Sequence, residues 1–310
     1  MNRLLINELK KQNILVIIIF TIILSVSFNL LAYYSSDNNT IDNWRENAIS
    51  EKAEFEEYLA EQEAKKDTEQ NEEIISQCQS GINEIDYCLE NDIPYEVVSL
   101  GGYLININGM DTFVYMIIII FSARVFIIED DNRTWKNLFT TNVKRRKILE
   151  SKILFGILMS LAISVMFFAV CLVSGIAFSN MELTSTIRIW NVDHYMVESL
   201  GTKLFSTYMI FIIKAIFFSV FVIMISGLCK LGYVTYLISI ITLLFGDLIE
   251  GVMADKVINN YLPFKYLFST SNSVFFESNF LLKTCLVLIP WIILFVVITL
   301  LGFNRRNNRI

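Results

Sequence analysis

Few residues in this chain of 310 are of a type and in a place to do chemistry. The single histidine, His194, stands among Asp193, Tyr195 and Glu198. One imidazole with scattered carboxylates is not the ligand set a bound metal needs. General acid–base work inside a membrane needs catalytic groups converging at one depth, and no apolar stretch contains a histidine. The residue types therefore point away from an enzyme, and no catalytic, metal or cofactor residue is assigned. Lys214 is the conspicuous charge, in the middle of the apolar run YMIFIIKAIFFSVF. An ionisable group there costs several kcal/mol unless it is paired, hydrated or able to reach the interface. A tight turn at Cys229–Leu231 would make the flanking apolar segments antiparallel, with Lys214 and Asp247 each sixteen residues from it. Sixteen residues rise about 24 Å, so the two share a depth. Lys214 is expected to pair with Asp247, with Glu250 as a second partner. The other reading is that it snorkels to the headgroups.

A polar segment, Glu129 to Lys152 (EDDNRTWKNLFTTNVKRRKILESK), separates two apolar stretches. Its acidic start suits a helix N-terminus. A helix from about Arg133 would group Trp135, Leu138 and Phe139 on one face. An apolar face on a polar loop needs a surface, and a short amphipathic helix pressed into a groove is a common recognition mode. The run Lys144–Lys147 (KRRK) has a simpler role, holding the loop inside, and could also sit at anionic headgroups.

The elements that must position these residues are membrane spans. The chain is 54% hydrophobic, with a mean hydropathy of +0.52 and only 3 Pro. Crossing the hydrocarbon takes about 20 mostly apolar residues in a helix that satisfies its own backbone. Six segments qualify: 14–34, 112–128, 153–178, 204–229, 231–249 and 281–303. The first is too long for a signal-peptide core and has no cleavage site after it. Residues 1–13 read as an interfacial helix, 129–152 as a cytoplasmic loop, 179–203 as an outer loop, 250–280 as an outer or re-entrant segment and 304–310 as a tail. Arg3, Lys10, Lys11, the loop's seven basic residues and Arg305, Arg306 and Arg309 all fall on one side of six spans, so both termini are expected to be cytoplasmic. The fold class expected is an all-α membrane protein with six transmembrane helices in a bacterial cell membrane.

Residues 35–101 hold 18 acidic and 4 basic residues. At −14, this segment alone gives the chain its net charge of −6, the remainder being +8. The distribution suggests no nucleic-acid partner. Trp44, Ala48, Phe55, Tyr58 and Leu59, then Ile74, Ile75, Ile82, Ile85 and Leu89, recur at helical spacing, which predicts an extracellular helical hairpin. Thr40 is placed to cap the first arm, and Pro94 to end the second. Cys78 and Cys88 would lie about 15 Å apart on one continuous helix, too far for a disulfide. A break at Gly81 would let them meet, and both alternatives stand.

The polar loop resembles the intracellular loop of permease subunits from type-2 ABC exporters. There an acidic residue at the end of the second span is followed by Gly-Thr, a leucine, a proline, an arginine and a lysine entering the third span. Glu129, Thr134, Leu138, Arg145 and Lys152 stand at the matching positions, whereas Arg133 replaces the glycine and Asn142 the proline. The six-span order, the short turn after the fourth span and the outer segment before the sixth are similar too. The outer hairpin resembles the peptide- and antibiotic-exporter branch. The resemblance implies that Trp135, Leu138 and Phe139 form a coupling helix, docking on a cytoplasmic ABC ATPase dimer. It further implies a second permease chain, identical or related. The sequence has no G-x-x-x-x-G-K-[ST] phosphate loop, so ATP and Mg would be bound by the partner. The expected cargo is a hydrophobic or amphipathic peptide, such as an antimicrobial peptide or toxin, with a lipid or lipid-linked molecule next. A ligand-sensing or immunity subunit without transport is the alternative.

Overall fold

The computed structural model describes residues 2–12, 14–36, 43–64, 69–93, 95, 104, 111–132, 134–135, 143–179, 186–191, 194–229, 232–253, 257–268 and 279–307. Helices at all six expected spans are among them. They are α2 (Ile14–Ser36), α5 (Asp111–Asp131), α6 (Arg145–Ser179), α7 (Leu200–Leu228), α8 (Gly232–Met253) and α10 (Phe280–Asn307). Four of these, α5, α6, α7 and α10, are long and apolar enough to cross a membrane; α2 and α8 carry shorter apolar stretches, Ile18–Ser27 and Gly232–Gly246. The remaining helices are α1 (Asn2–Lys11), α3 (Trp44–Ala64), α4 (Glu69–Glu90), a 3-10 turn at Val257–Tyr261 and α9 (Pro263–Phe268).

The chain divides into two compact units. One comprises 29–105 and 175–204. Its main element is the expected helical hairpin of α3 and α4, packed around Trp44, Ala48, Ile85, Cys88 and Tyr95. Salt bridges from Lys52 to Asp86 (2.5 Å) and from Arg45 to Asp92 (2.6 Å) link the arms and the end of α4. α4 ends at Glu90, followed by Asp92 in the left-handed region (φ 53°) and a bond from Ile93 N–H to Cys88 O of 2.9 Å. Thr40 and Pro94, the expected cap and stop, lie outside the described residues. α4 runs unbroken through Gly81, where the Phe55 ring lies 3.3 Å from where a Cβ would stand. The break that would let Cys78 and Cys88 meet is absent: both thiols are buried on one continuous helix, about 15 Å apart along its rise, too far for a disulfide. The expectation of an all-α chain needs one correction as well. Thr186–Asn191 (β1) and His194–Ser199 (β2) form an antiparallel pair in which Asn191 stands opposite His194.

The other unit comprises 1–28, 106–174 and 205–310. In its spans α5 and α7 bury 56% and 67% of their apolar windows and α10 only 17%, so α5 and α7 are central and α10 is peripheral. Lipid is as apolar as leucine, so such helices associate through close packing and polar contacts. Ser122 Oγ donates to Ser219 Oγ at 2.9 Å, joining α5 to α7, and Ser226 Oγ donates to Ala123 O at 3.3 Å. Gly156 of α6 admits Ile223 of α7, whose Cδ1 lies 2.2 Å from where a Cβ would stand. The segment expected to be re-entrant is anchored here, with Phe268 of α9 over Gly246 of α8 and Trp291 Nε1 donating to Tyr261 O at 3.3 Å.

α6 begins at Arg145, eight residues before the expected span. Nothing between Arg145 and Ile153 breaks a helix, and Arg146 and Glu150 pair at i,i+4 (2.8 Å). The basic run thus opens α6, and Lys152 is a helical residue rather than the end of a loop.

Candidate functional site

The C-terminal end of α5 is a charge site with three buried members, Glu8, Glu129 and Lys152, and one that reaches solvent, Lys11. Glu129, the third residue from the end of that helix, is 1% exposed; Lys152, brought from α6, is 0% exposed. An ammonium has three protons to place, and every direction open to Lys152 Nζ ends on an acceptor. It donates to Val125 O (2.8 Å), to Glu129 Oε1 (3.3 Å) and to the carboxylate of Glu8 (3.1 and 3.2 Å). Lys11 Nζ donates to Glu129 Oε1, and its salt bridge to Glu8 on the same helix spans 3.7 Å. Two acids and two bases therefore alternate, Glu8, Lys152, Glu129, Lys11, with no net charge. Burying charge is tolerable only when each ion is both paired and hydrogen-bonded. The rings of Phe126 and Trp135 lie 5.6 and 5.5 Å from Lys152 Nζ, adding a cation–π contribution.

Thr134 closes the end of α5. Its hydroxyl donates to Glu129 Oε2, and its N–H to the Glu129 carbonyl at 3.0 Å. That five-residue closure is how a helix end of the Schellman type satisfies its last carbonyls. Trp135 comes next, and it corrects the expectation of an exposed apolar face. The indole is 9% exposed, packs with Phe121, Phe126, Leu149 and Ile153, and donates from Nε1 to Asp130 at 2.8 Å. Trp135 belongs to the protein's own core, because its ring finds apolar neighbours and an acceptor within the chain. Leu138, Phe139, Arg133 and Asn142 lie outside the described residues. Arg145 opens α6 with its side chain exposed.

The structure thus brings together three residues chosen from the sequence, Glu129, Thr134 and Lys152, with Trp135 beside them. Glu8 and Lys11 were missed. A signal existed, since Glu8 is the one acidic residue before Asp37. Pattern reading assigned α1 to the bilayer surface and had no reason to bring it to α5.

Lys214 is buried in α7, and Asp111, the first residue of α5, lies within its electrostatic reach. Asp111 also interacts with Tyr115, whose ring packs 5.4 Å from Phe211 and 5.1 Å from Phe218. The sequence offered Asp247 and Glu250 as partners. Glu250 is half-buried at the far part of α8, and the side chain of Asp247 lies outside the described residues. Among the described residues no group of His, Cys, Asp and Glu could hold a metal ion.

With this geometry in view, residues 95–241 match the family model described as ABC-2 family transporter protein. That stretch spans α5, α6, the β-hairpin, α7 and half of α8, and so includes Glu129, Thr134 and Lys152. No curated protein matches the chain.

Proposed function

We propose, from the match of residues 95–241 to the ABC-2 family transporter model and from the apolar spanning helices, that this chain is the multi-pass transport subunit of an ATP-driven exporter. ATP would be hydrolysed by a separate cytoplasmic ATPase, two of which would join two permease chains. Both termini and the α5–α6 connection would face that ATPase, with the α3–α4 hairpin on the outer side. The cargo class that fits best is a hydrophobic or amphipathic peptide, since the central helices α5 and α7 meet through aromatic rings and the acidic hairpin favours cationic molecules.

One observation supports transmission through the α5–α6 connection above the rest. Glu129, Thr134 and Lys152, the first and last 23 positions apart, converge on one buried point that locks α5 to α6. A push on the connection would then move both helices together instead of being lost in a slack loop. With Trp135 inside the core, the docking face falls to Leu138 and Phe139.

Co-purification with an ATPase from neighbouring genes, then ATP turnover in lipid with added cationic amphipathic peptides, tests the reading. Stimulation by peptides is the expected result; stimulation only by lipid-linked molecules, or none, would replace the peptide assignment. Leu138→Ala with Phe139→Ala should leave membrane insertion intact and weaken ATPase association by about tenfold or more, as loss of anchor side chains does. Unchanged association in that double variant would remove the docking role.

A further inference from the structure

The family match begins at residue 95 and assigns nothing to α1, yet α1 supplies half the charges of the quartet. We propose that Glu8 and Lys11 are positioning residues of the α5–α6 connection, with α1 acting as a clamp that holds Glu129 and Lys152 in register. The proposal rests on the reading of that connection as the ATPase docking element.

The inward face of α1 carries the argument. Leu5, Glu8 and Gln12 recur at i, i+3, i+7, the spacing of one helix face. Glu8 and Gln12 are buried and Leu5 packs against the core around Phe121 and Trp135, whereas Ile6 and Leu9 are 49% and 38% exposed. Among the described side chains of α1 only Leu4 and Leu5 are half-buried apolar groups, and no apolar one is fully buried, which is little apolar area to hold a ten-residue helix. Gln12 adds no attraction, because its buried amide nitrogen and oxygen find no hydrogen-bond partner among the described residues, and an unsatisfied buried amide opposes docking. What remains is the two ion pairs. Glu8 meets Lys152 with both carboxylate oxygens, and Lys11 meets Glu129.

The charge count gives the clamp its character. α1 brings one acid and one base, and Glu129 with Lys152 is itself one acid and one base. The site is neutral with α1 docked and neutral with α1 released. Docking therefore never strands a net charge in the core, and α1 fixes the geometry of the connection without being needed to neutralise it. Removing Glu8 alone breaks that balance and leaves Lys152 sharing Glu129 with Lys11.

The test uses the full chain in lipid vesicles and a water-soluble amine-acylating reagent, with labelling read residue by residue by mass spectrometry. Lys144 and Lys147 are exposed and serve as internal references, while Lys152 should be protected in the wild type. Glu8→Gln should raise labelling of Lys152 about tenfold or more relative to those references, the size expected when a local opening equilibrium shifts by one decade. Glu8→Asp should restore most of the protection. Gln12→Leu, which removes the orphan amide, should leave labelling at or below the wild-type level. Equal protection of Lys152 in wild type and Glu8→Gln would overturn the clamp.

Coupled ATP turnover with the partner ATPase supplies the second reading. Reversing α1 alone (E8K with K11E) or the connection alone (E129K with K152E) should abolish coupling, and the quadruple reversal should recover part of it because the charges alternate again. Recovery will be incomplete, since a glutamate at 152 cannot donate to Val125 O. No recovery at all, in protein that inserts normally, counts against the clamp. If Lys152 opens in Glu8→Gln while coupled turnover is unchanged, the connection is not the docking element, and the functional half of the proposal falls with it.

Discussion

The two ends of α5 meet the same problem, a charge next to a membrane core, and meet it differently. At the Glu129 end, four ions from three helices alternate, both carboxylate oxygens of Glu129 are hydrogen-bonded, and Lys152 has an acceptor for each proton. At the Asp111 end, the charges among the described residues are one carboxylate and the buried Lys214, amid aromatic rings of α5 and α7. A saturated network holds a geometry, because losing any member strands the others. A sparse pair is easier to exchange for water, another ion or a neutral substitute. One end of α5 is thus built to be stiff and the other to be replaceable, with Ser122–Ser219 and Gly156–Ile223 packing between them.

That contrast breaks most directly at Lys152. Lys152→Met leaves the carboxylates of Glu8 and Glu129 facing each other with Lys11 as the one remaining counter-ion, and should destabilise by about 3–5 kcal/mol, read as a lower thermal midpoint in detergent. A loss under about 1 kcal/mol would mean the quartet behaves as a surface pair. Gly156→Ala comes next. Its methyl would meet Ile223 Cδ1 at 2.2 Å and Ser219 Oγ at 3.0 Å, an overpacking worth about 1–3 kcal/mol that should fall on both ends alike.

The Asp111 end should yield less. Lys214→Met alone is expected to lower the thermal midpoint by less than Lys152→Met does, and Lys214→Met with Asp111→Asn by less than the sum of the single changes. Strictly additive losses for this pair, with coupling to Asp247→Asn instead, would return the partner to α8. The smallest effect is expected away from both ends, at Lys52. Its hydrogen bond to Asp86 raises the ammonium above the usual lysine range. A raised value means a contribution fully present below the unfolded-state value and lost as pH climbs through the folded one, so it should vanish only in alkaline solution. For a half-exposed pair that is a few tenths of a kcal/mol, visible as a slight alkaline fall in thermal stability that Asp86→Asn removes.

Much of the helical layout was legible because apolar length and helical period are local properties. Helices stand at all six segments picked by hydropathy, and Trp44, Ala48 and Ile85 face one another in the hairpin as their spacing implied. The start of α6 was misplaced because charge was read as loop, although a helix tolerates KRRK where Glu150 answers Arg146. The β1–β2 pair was missed because two six-residue strands carry little periodic signal.

At the site itself, Glu129, Thr134 and Lys152 could be picked out from residue type and spacing, since an acid, a hydroxyl and a base around a span boundary are readable from the chain. The sequence by itself determined a helical membrane protein with its charges gathered at segment ends, because transfer to lipid is decided residue by residue. Only the tertiary structure decided that Glu8 and Lys11 complete the quartet, that Trp135 turns inward and that Asp111 stands near Lys214. Each depends on which helix faces touch, and two charges separated by more than a hundred residues have no local signature of meeting.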